Sequence, residues 1–291
     1  MRTTDSVEAV RDWVATARAA SKRIGCVPTM GALHRGHTSL IEASIAGNDR
    51  TVVTIFVNAP QFNDAGDFDG YPRPLEQDLE ICQDLGVDLV FAPEDVTMYP
   101  AGHATSVDVG PLGDVLEGEF RPGHFRGVAT VVVSLLNIVL PDAAFFGRKD
   151  YQQQLVIQQV CRDLQLPVEI VTCPTIRDND GLALSSRNVL LNPEQRRVAT
   201  VLHGALSRAR ERFRQSPDAT PEDLAAASGV LQEGLRAAPG LELEYACIVD
   251  ARTLQSPVIL QPPLPPLIGL VAGTVGGIRL IDNLLFSFAS H

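Results

Sequence analysis

Residues 23–41 read RIGCVPTMGALHRGHTSLI. The stretch opens with a short apolar, β-branched run at 23–29, turns at Met30 and Gly31, and resumes with helical spacing from about Thr38. A strand without polar alternation that feeds a helix through a short loop is the repeating unit of a parallel sheet covered on both faces. The same alternation continues outward. Residues 51–57 (TVVTIFV), 87–92 (VDLVFA), 143–147 and 168–172 read as further buried strands. Helical stretches fall between them at 38–46, 75–85, 128–140 and 151–164. Upstream, Val7, Val10, Val14 and Ala17 form one apolar stripe of an amphipathic helix. The expected fold class is therefore α/β, a Rossmann-like parallel sheet, with ligands bound where strands run out into helices.

The pattern changes after about residue 175. Residues 193–213 and 221–237 read as two helices, each with a proline at its first position and Asn192 or Thr220 as a cap. Strand-like runs follow at 243–249, 266–271 and 277–281, with the proline cluster QPPLPP at 261–266 as a stiff connector. Two domains are expected, 1–176 and 177–291, the second a smaller α+β domain with an antiparallel sheet. A length of 291 residues agrees with about two domains.

Composition narrows the function. Apolar residues make up 45% of the chain, so it can bury enough to offset its ordering entropy. The formal net charge is −11, which disfavours nucleic acid and anionic membranes as partners, since both are held by clustered Lys and Arg. The first residues lack the basic and apolar regions of a signal peptide. No apolar run reaches the roughly 18 residues of a membrane span. The five cysteines are odd in number and form no CxxC, so they are expected as reduced, packed thiols in a cytoplasmic protein.

The chemistry is concentrated in a few segments. His34 and His37 form an HxGH at a strand-to-helix junction, where backbone N–H groups already favour an anion. That arrangement suits nucleotide phosphates and charge developing on an α-phosphate. There is no GxxxxGK[ST] and no GxGxxG after a strand, so phosphate handling needs other basic groups. Lys149 in GRKDYQQQ supplies one, at the end of a strand. Ser185, Ser186 and Arg187 in GLALSSRN can donate to phosphate oxygens, although SSRN alone also reads as a solvated loop. Asn58 and Gln61 leave the end of a strand in VNAPQF, where neutral amides can read a small hydroxy acid. Asp78 is a candidate Mg²⁺ ligand or simply a solvated helix carboxylate. His124, in RPGHFRG, either lines the pocket or caps the apolar helix that follows.

Taken in order, PTMGALHRGH, FVN and QF, YPR, FRPGHFRGV, FFGRKDYQQ, DGLALSSRN and GGIRLIDN resemble the pantothenate synthetases, the pantoate–β-alanine ligases. The resemblance runs from about residue 25 to the end of the chain. It implies a Rossmann-like ATP- and pantoate-binding domain, a C-terminal lid domain, a homodimer, and a two-step reaction through pantoyl adenylate that consumes ATP with Mg²⁺. It also implies roles. Met30, Gln61 and Gln153 match residues that hold pantoate. His34 and His37 match nucleotide-binding histidines, and Lys149, Ser185, Ser186 and Arg187 match groups on the phosphates. Gly147 and Asp150 match contacts to the nucleoside, with Met30 also bordering ATP. Asp78 matches the aspartate associated with Mg²⁺. Asn58, Tyr71 and His124 match positions near the pantoyl or β-alanine end. Two departures stand out: Ala59-Pro60 where the family has Pro-x, and Arg148 where it usually has Glu. Other readings are a second kind of HxGH nucleotidyltransferase and a weakened or repurposed relative.

Overall fold

The structure, a computed structural model, describes residues 1–215, 220–257 and 265–286, and the chain divides into two units, Met1–Thr175 and Ile176–His291. In the first unit, strands β1 (Arg2–Thr4), β2 (Ile24–Thr29), β3 (Arg50–Ile55), β4 (Leu89–Phe91), β5 (Ala143–Gly147) and β6 (Glu169–Cys173) form one sheet in the order β1-β4-β3-β2-β5-β6. All neighbouring strands are parallel. Helices cover both faces, as the unalternating strands require. Within β2, Cys26 packs with Val10, Val14, Val128 and Leu135 of the Val7–Ala19 and His124–Val139 helices. Its neighbour Val27 packs on the opposite face with Leu40, Ile41 and Cys82 of the Arg35–Gly47 and Leu75–Leu85 helices. Burying side chains of this size stabilises the fold by about 1.5–3 kcal/mol each.

The five strands expected in the sequence are present, with ends shifted by a residue or two. Strand β1 was not expected, because RTT at the sheet edge is half exposed and carries no apolar pattern.

The strand order reverses at β2. The chain passes from β2 to β3 and β4 on one side, and β5 and β6 lie on the other. Pairing between β2 and β3 runs the full six residues to Thr29 and Ile55, whereas pairing between β2 and β5 stops after Cys26 and Ala144. Pro28 falls beyond that last pair, where its missing N–H costs no hydrogen bond to β5. Such a reversal opens a crevice at the carboxyl ends of the two strands. Residues 30–37 and 147–153 leave the sheet there.

In the second unit, β7 (Leu241–Asp250), β8 (Leu267–Val275) and β9 (Ile278–Leu285) form an antiparallel sheet in that order. Leu202, Leu206 and Phe213 of the Val201–Arg214 helix, and Leu231 and Leu235 of the Pro221–Arg236 helix, pack on Ile248, Val271 and Phe286. Asn192 and Thr220 cap their helices as expected, each in a reciprocal capping box. The helix expected over 193–213 is instead two, Pro193–Ala199 and Val201–Arg214, divided at Thr200. The Thr200 hydroxyl donates to the Arg197 carbonyl, a local bond that competes with the helical ladder. Positions 261–264 of the proline cluster lie outside the described residues. Among the described residues, no helix is long and apolar enough to cross a membrane.

Candidate active site

The loop after β2 builds the first part of the site. Gly31 takes a left-handed conformation (φ 76°) that turns the chain away from the sheet, and the Thr29 hydroxyl accepts its N–H. The Arg35–Gly47 helix then starts one residue ahead of the 36–38 start that the HxGH spacing suggests, because His34 caps it. His34 Nδ1 accepts from the Gly36 N–H at 3.1 Å, and His37 Nδ1 accepts from the His34 N–H at 3.3 Å. Each Nδ1 is thereby an acceptor, so the proton of the neutral ring sits on Nε2. The two rings lie 4.1 Å apart, centre to centre. Burial, the neighbouring His34 and the Lys149 ammonium push the His37 pKa down to about 3. At neutral pH His37 is an uncharged Nε2–H donor at the positive end of a helix.

Asp78 is tied to the loop after β2. It is 1% exposed, so it is not the solvated carboxylate the sequence left open, and its two carboxylate oxygens accept the N–H groups of Ala32 and Leu33 at 2.8 and 2.7 Å. Desolvation raises its pKa despite those two bonds. A β-carbon on Gly31 would sit 2.8 Å from Asp78 Oδ2, so loop and carboxylate fit only with glycine there. Asp78 thus holds the loop that carries His34, with one backbone amide on each oxygen. Among the described residues, no three His, Cys, Asp or Glu side chains are grouped so as to hold a metal ion.

A network of amides forms the second part. Asn58 and Gln61 flank the short turn Ala59–Gln61 at the end of β3 and are both buried. Asn58 Nδ2 donates to Gln61 Oε1 and to the Gly127 carbonyl, and Asn58 Oδ1 accepts from the Tyr99 hydroxyl. Gln61 Nε2 lies 2.9 Å from Met30 Sδ, which ties the network to the loop after β2. His124 is buried at the start of its helix, with Nδ1 2.7 Å from the Gln61 carbonyl and Nε2 3.2 Å from Arg121. Burial, with the charge of Arg121, lowers the His124 pKa to about 4. Its side chain makes no helix cap, one of the two roles the sequence left open, and instead contacts the Ala59–Gln61 turn. Tyr71 is buried edge-on against Phe62.

The third part leaves β5. Gly147 ends the strand, and Lys149 Nζ lies 3.5 Å from Asp150 at the start of the Tyr151–Asp163 helix. The three glutamines that follow diverge in use. Gln152 is buried and bonded to the Glu117 N–H and to the Leu112 and Val115 carbonyls. Gln154 is buried and accepts from Gln158 and Thr172. Gln153 is half-buried and makes no side-chain hydrogen bond among the described residues.

In the second unit, Ser185, Ser186 and Arg187 are half-buried at the start of the turn Ser186–Leu190. Ser185 Oγ accepts the Arg187 N–H. The stem of this loop is clamped to the last strand. Arg177 makes a two-pronged pair with the buried Asp282 of β9, at 2.6 and 2.8 Å, and also donates to the carbonyls of Gly181 and Asn283. Arg196 bonds Asp178 and Asp180 from the other side. Asp282 lies in the GGIRLIDN motif and Arg177 just ahead of DGLALSSRN, and neither carried an expected role, because their pairing spans 105 residues.

Comparison with known proteins bears on the whole chain. Residues 2–285 match the family model described as pantoate-beta-alanine ligase. The chain belongs to the pantoate–β-alanine ligase family. A pantothenate synthetase of Moorella thermoacetica is 48% identical over 289 residues, which cover 98% of each chain. The crystal structure of pantothenate synthetase from Thermus thermophilus superposes with a TM-score of 0.87 at 46% identity, covering 98% of this chain and 99% of that one. A pantoate-beta-alanine ligase of Francisella tularensis, solved in complex with beta-gamma ATP and beta-alanine, gives a TM-score of 0.77 at 33% identity over 100% of both chains.

Of the two departures noted in the sequence, the one at Ala59-Pro60 has a local explanation, and nothing in the structure explains Arg148. Pro60 occupies the first turn of the Ala59–Gln61 segment, where a missing N–H is tolerated, and the Gln61 and Phe62 N–H groups still bond Asn58 and Ala59. The shift of the proline by one position therefore leaves the Asn58–Gln61 pair intact. Arg148 donates its backbone N–H to the Cys173 carbonyl, and its charge acts on the Cys173 thiol.

Proposed function

We infer that this protein joins pantoate to β-alanine at the expense of ATP. A carboxylate oxygen of pantoate attacks the α-phosphorus, the bond to the β-phosphate oxygen breaks, and pyrophosphate leaves. The amine of β-alanine then attacks the acyl carbon of pantoyl adenylate, loses its proton, and AMP departs to give pantothenate. Neither step needs a covalent bond to the protein. Its contribution is to position two anions and neutralise their repulsion.

The observation that carries this reading is the meeting of the His34–His37 pair, with Lys149 close enough to depress the His37 pKa, at the β2–β5 reversal. We assign His34, His37 and Lys149 to the nucleotide phosphates; the family resemblance assigns phosphate contacts to Ser185, Ser186 and Arg187 as well. Gly147 and Asp150 are assigned to the nucleoside, and Met30, Gln61 and Gln153 to pantoate. Tyr71 and His124 border the acyl and amine end, and Asn58 supports it through Gln61. Met30 also borders ATP. Mg²⁺ is proposed to arrive on the ATP phosphates as part of the substrate, the usual way this ion is held, with Asp78 as the carboxylate proposed to stand near it. A cytoplasmic homodimer is the proposed setting. The five unbridged cysteines fit a reducing compartment.

The test is release of pyrophosphate and AMP from Mg-ATP. Pyrophosphate formed with D-pantoate alone, and sustained AMP release only after β-alanine is added, is the expected result. Turnover with a different acid or a nucleotide, and none with pantoate, would replace this reading by another HxGH nucleotidyltransferase. ATP binding without turnover on any acid would make the protein a repurposed relative.

A further inference from the structure

We propose that Tyr99 is a positioning residue for the acid substrate. The Gly127 carbonyl sets which way the Asn58 amide points, Tyr99 holds the amide there by donating to its oxygen, and through Asn58 Gln61 meets the substrate with N–H donors. The proposal rests on the ligase reading above.

The polarity follows from one atom that has no choice. A backbone carbonyl only accepts, and Gly127 O lies 3.2 Å from the Asn58 amide, so the end facing it is the NH₂. The other end of Asn58, its Oδ1, therefore faces the Tyr99 hydroxyl, which donates to it at 2.5 Å. Asn58 Nδ2 also lies 3.0 Å from the Gln61 amide, so the Gln61 end facing it is the oxygen. The Gln61 NH₂ is thus directed away from Asn58, toward Met30 Sδ at 2.9 Å. A thioether is a weak acceptor. A carboxylate or hydroxyl oxygen brought to the same N–H groups is a better partner, and the exchange favours binding. Asn58 is 1% exposed, so water does not compete for its bonds.

The backbone is held as firmly as the amide. A β-carbon on Gly127 would lie 2.5 Å from the Pro60 carbonyl oxygen and 2.7 Å from the Gln61 nitrogen, so only glycine lets this helix approach closely enough for its carbonyl to reach Asn58. His124 and Arg121 grip the Gln61 carbonyl from the same helix start. Replacing Tyr99 by Phe removes the donor to Asn58 Oδ1 seen among the described residues and leaves the rest of the arrangement in place. The buried Oδ1 is then without that bond, so the Asn58 amide is held less firmly against Gln61, and Gln61 is held less firmly in turn.

The experiment uses the full chain and initial rates with pantoate and ATP varied separately. For Tyr99→Phe the expected result is a pantoate KM raised about tenfold, an ATP KM within about twofold of wild type, and little change in Tm. For Gln61→Glu, which keeps the shape but places a carboxylate oxygen where the NH₂ stood, calorimetric titration should show pantoate affinity reduced by about a hundredfold or more with ATP affinity retained. Wild-type protein without ligase turnover would overturn the reading beneath the proposal, and is distinguished by that control. With active wild type, an unchanged pantoate KM in Tyr99→Phe, or equal rises in both KM values, overturns the relay. Gln61→Glu that binds pantoate within about threefold of wild type overturns the donor assignment, and it decides the matter if Tyr99→Phe fails to fold.

Discussion

At the scale of single residues, what His37 can offer a ligand is set by its tautomer rather than by its charge. Both Nδ1 atoms are occupied by backbone N–H groups, and the His37 pKa is near 3, so a positive imidazolium is not what His37 offers to a phosphate at neutral pH. An amide can therefore replace it only if its nitrogen reaches the Nε2 position. His37→Gln should retain about tenfold more pantoate-dependent pyrophosphate release than His37→Asn, whose shorter amide overlays Nδ1 instead. Equal losses in the two would argue against the Nε2–H donor. Asp78 gives a second case. Removing its carboxylate leaves the Ala32 and Leu33 N–H groups buried without partners, and each such group costs about 1–3 kcal/mol. Asp78→Ala should lower the urea midpoint and the turnover together, while the Mg²⁺ concentration for half-maximal activity stays within about twofold. A large rise in that concentration would restore Asp78 as a metal ligand.

At the scale of elements, the contact between the His124–Val139 helix and the Ala59–Gln61 turn sets the shape of the acid-binding side. Helix propensity alone favours Gly127→Ala by about 1 kcal/mol. The β-carbon would then stand 2.5 Å from a backbone oxygen, and overpacking of that kind costs about 1–3 kcal/mol. The expected outcome is a net loss of stability with a raised pantoate KM; a stabilised, fully active variant would show that the contact can open without cost. This element also marks the limit of the sequence reading. Strand β5 and the Leu75–Leu85 helix were legible to the residue, because an apolar run and a repeating stripe are local signals. HxGH and Lys149 were legible as candidates for the same reason, since their motifs are local. Tyr99 was not, since nothing around it in MYP points to Asn58, 41 residues earlier in the chain. The bonds from Asp78 to the loop after β2 were not legible either: a carboxylate that caps a distant loop and one that binds a metal have the same local sequence. The division of the second-unit helix at Thr200 was invisible to periodicity, which continues across it.

At the scale of the whole molecule, stability should depend on pH through histidines kept neutral in the fold. The His37 and His124 pKa values lie near 3 and 4, against about 6.5 for an unfolded histidine. As pH falls below about 6.5 the unfolded chain takes up protons that the folded chain refuses, so stability is lost with acid until the folded values are reached. At pH 5 this amounts to at most about 2 kcal/mol per histidine. The raised pKa of Asp78 works in the opposite sense, since the folded state there binds its proton more readily. Urea melts at pH 7.5 and pH 5 should therefore show a clear fall in stability, made smaller by His124→Gln; a flat profile would mean that the rings are accessible to protons in the fold.

The clamp between Arg177 and Asp282 has a consequence for how the second unit is made. The loop bearing Ser185, Ser186 and Arg187 is fixed at its stem by a residue of β9, the last strand of the antiparallel sheet. Closing a contact over 105 residues carries an entropic cost that local pairing does not, so it forms late. The loop is encoded well before the strand that shapes it. On the proposed assignment of this loop to the nucleotide phosphates, nucleotide affinity should appear in the final kinetic phase of refolding, after the helices of the unit have formed, and a chain stalled before β9 docks should be helical yet bind ATP weakly. Competence for the substrate then serves as a signature of completed folding.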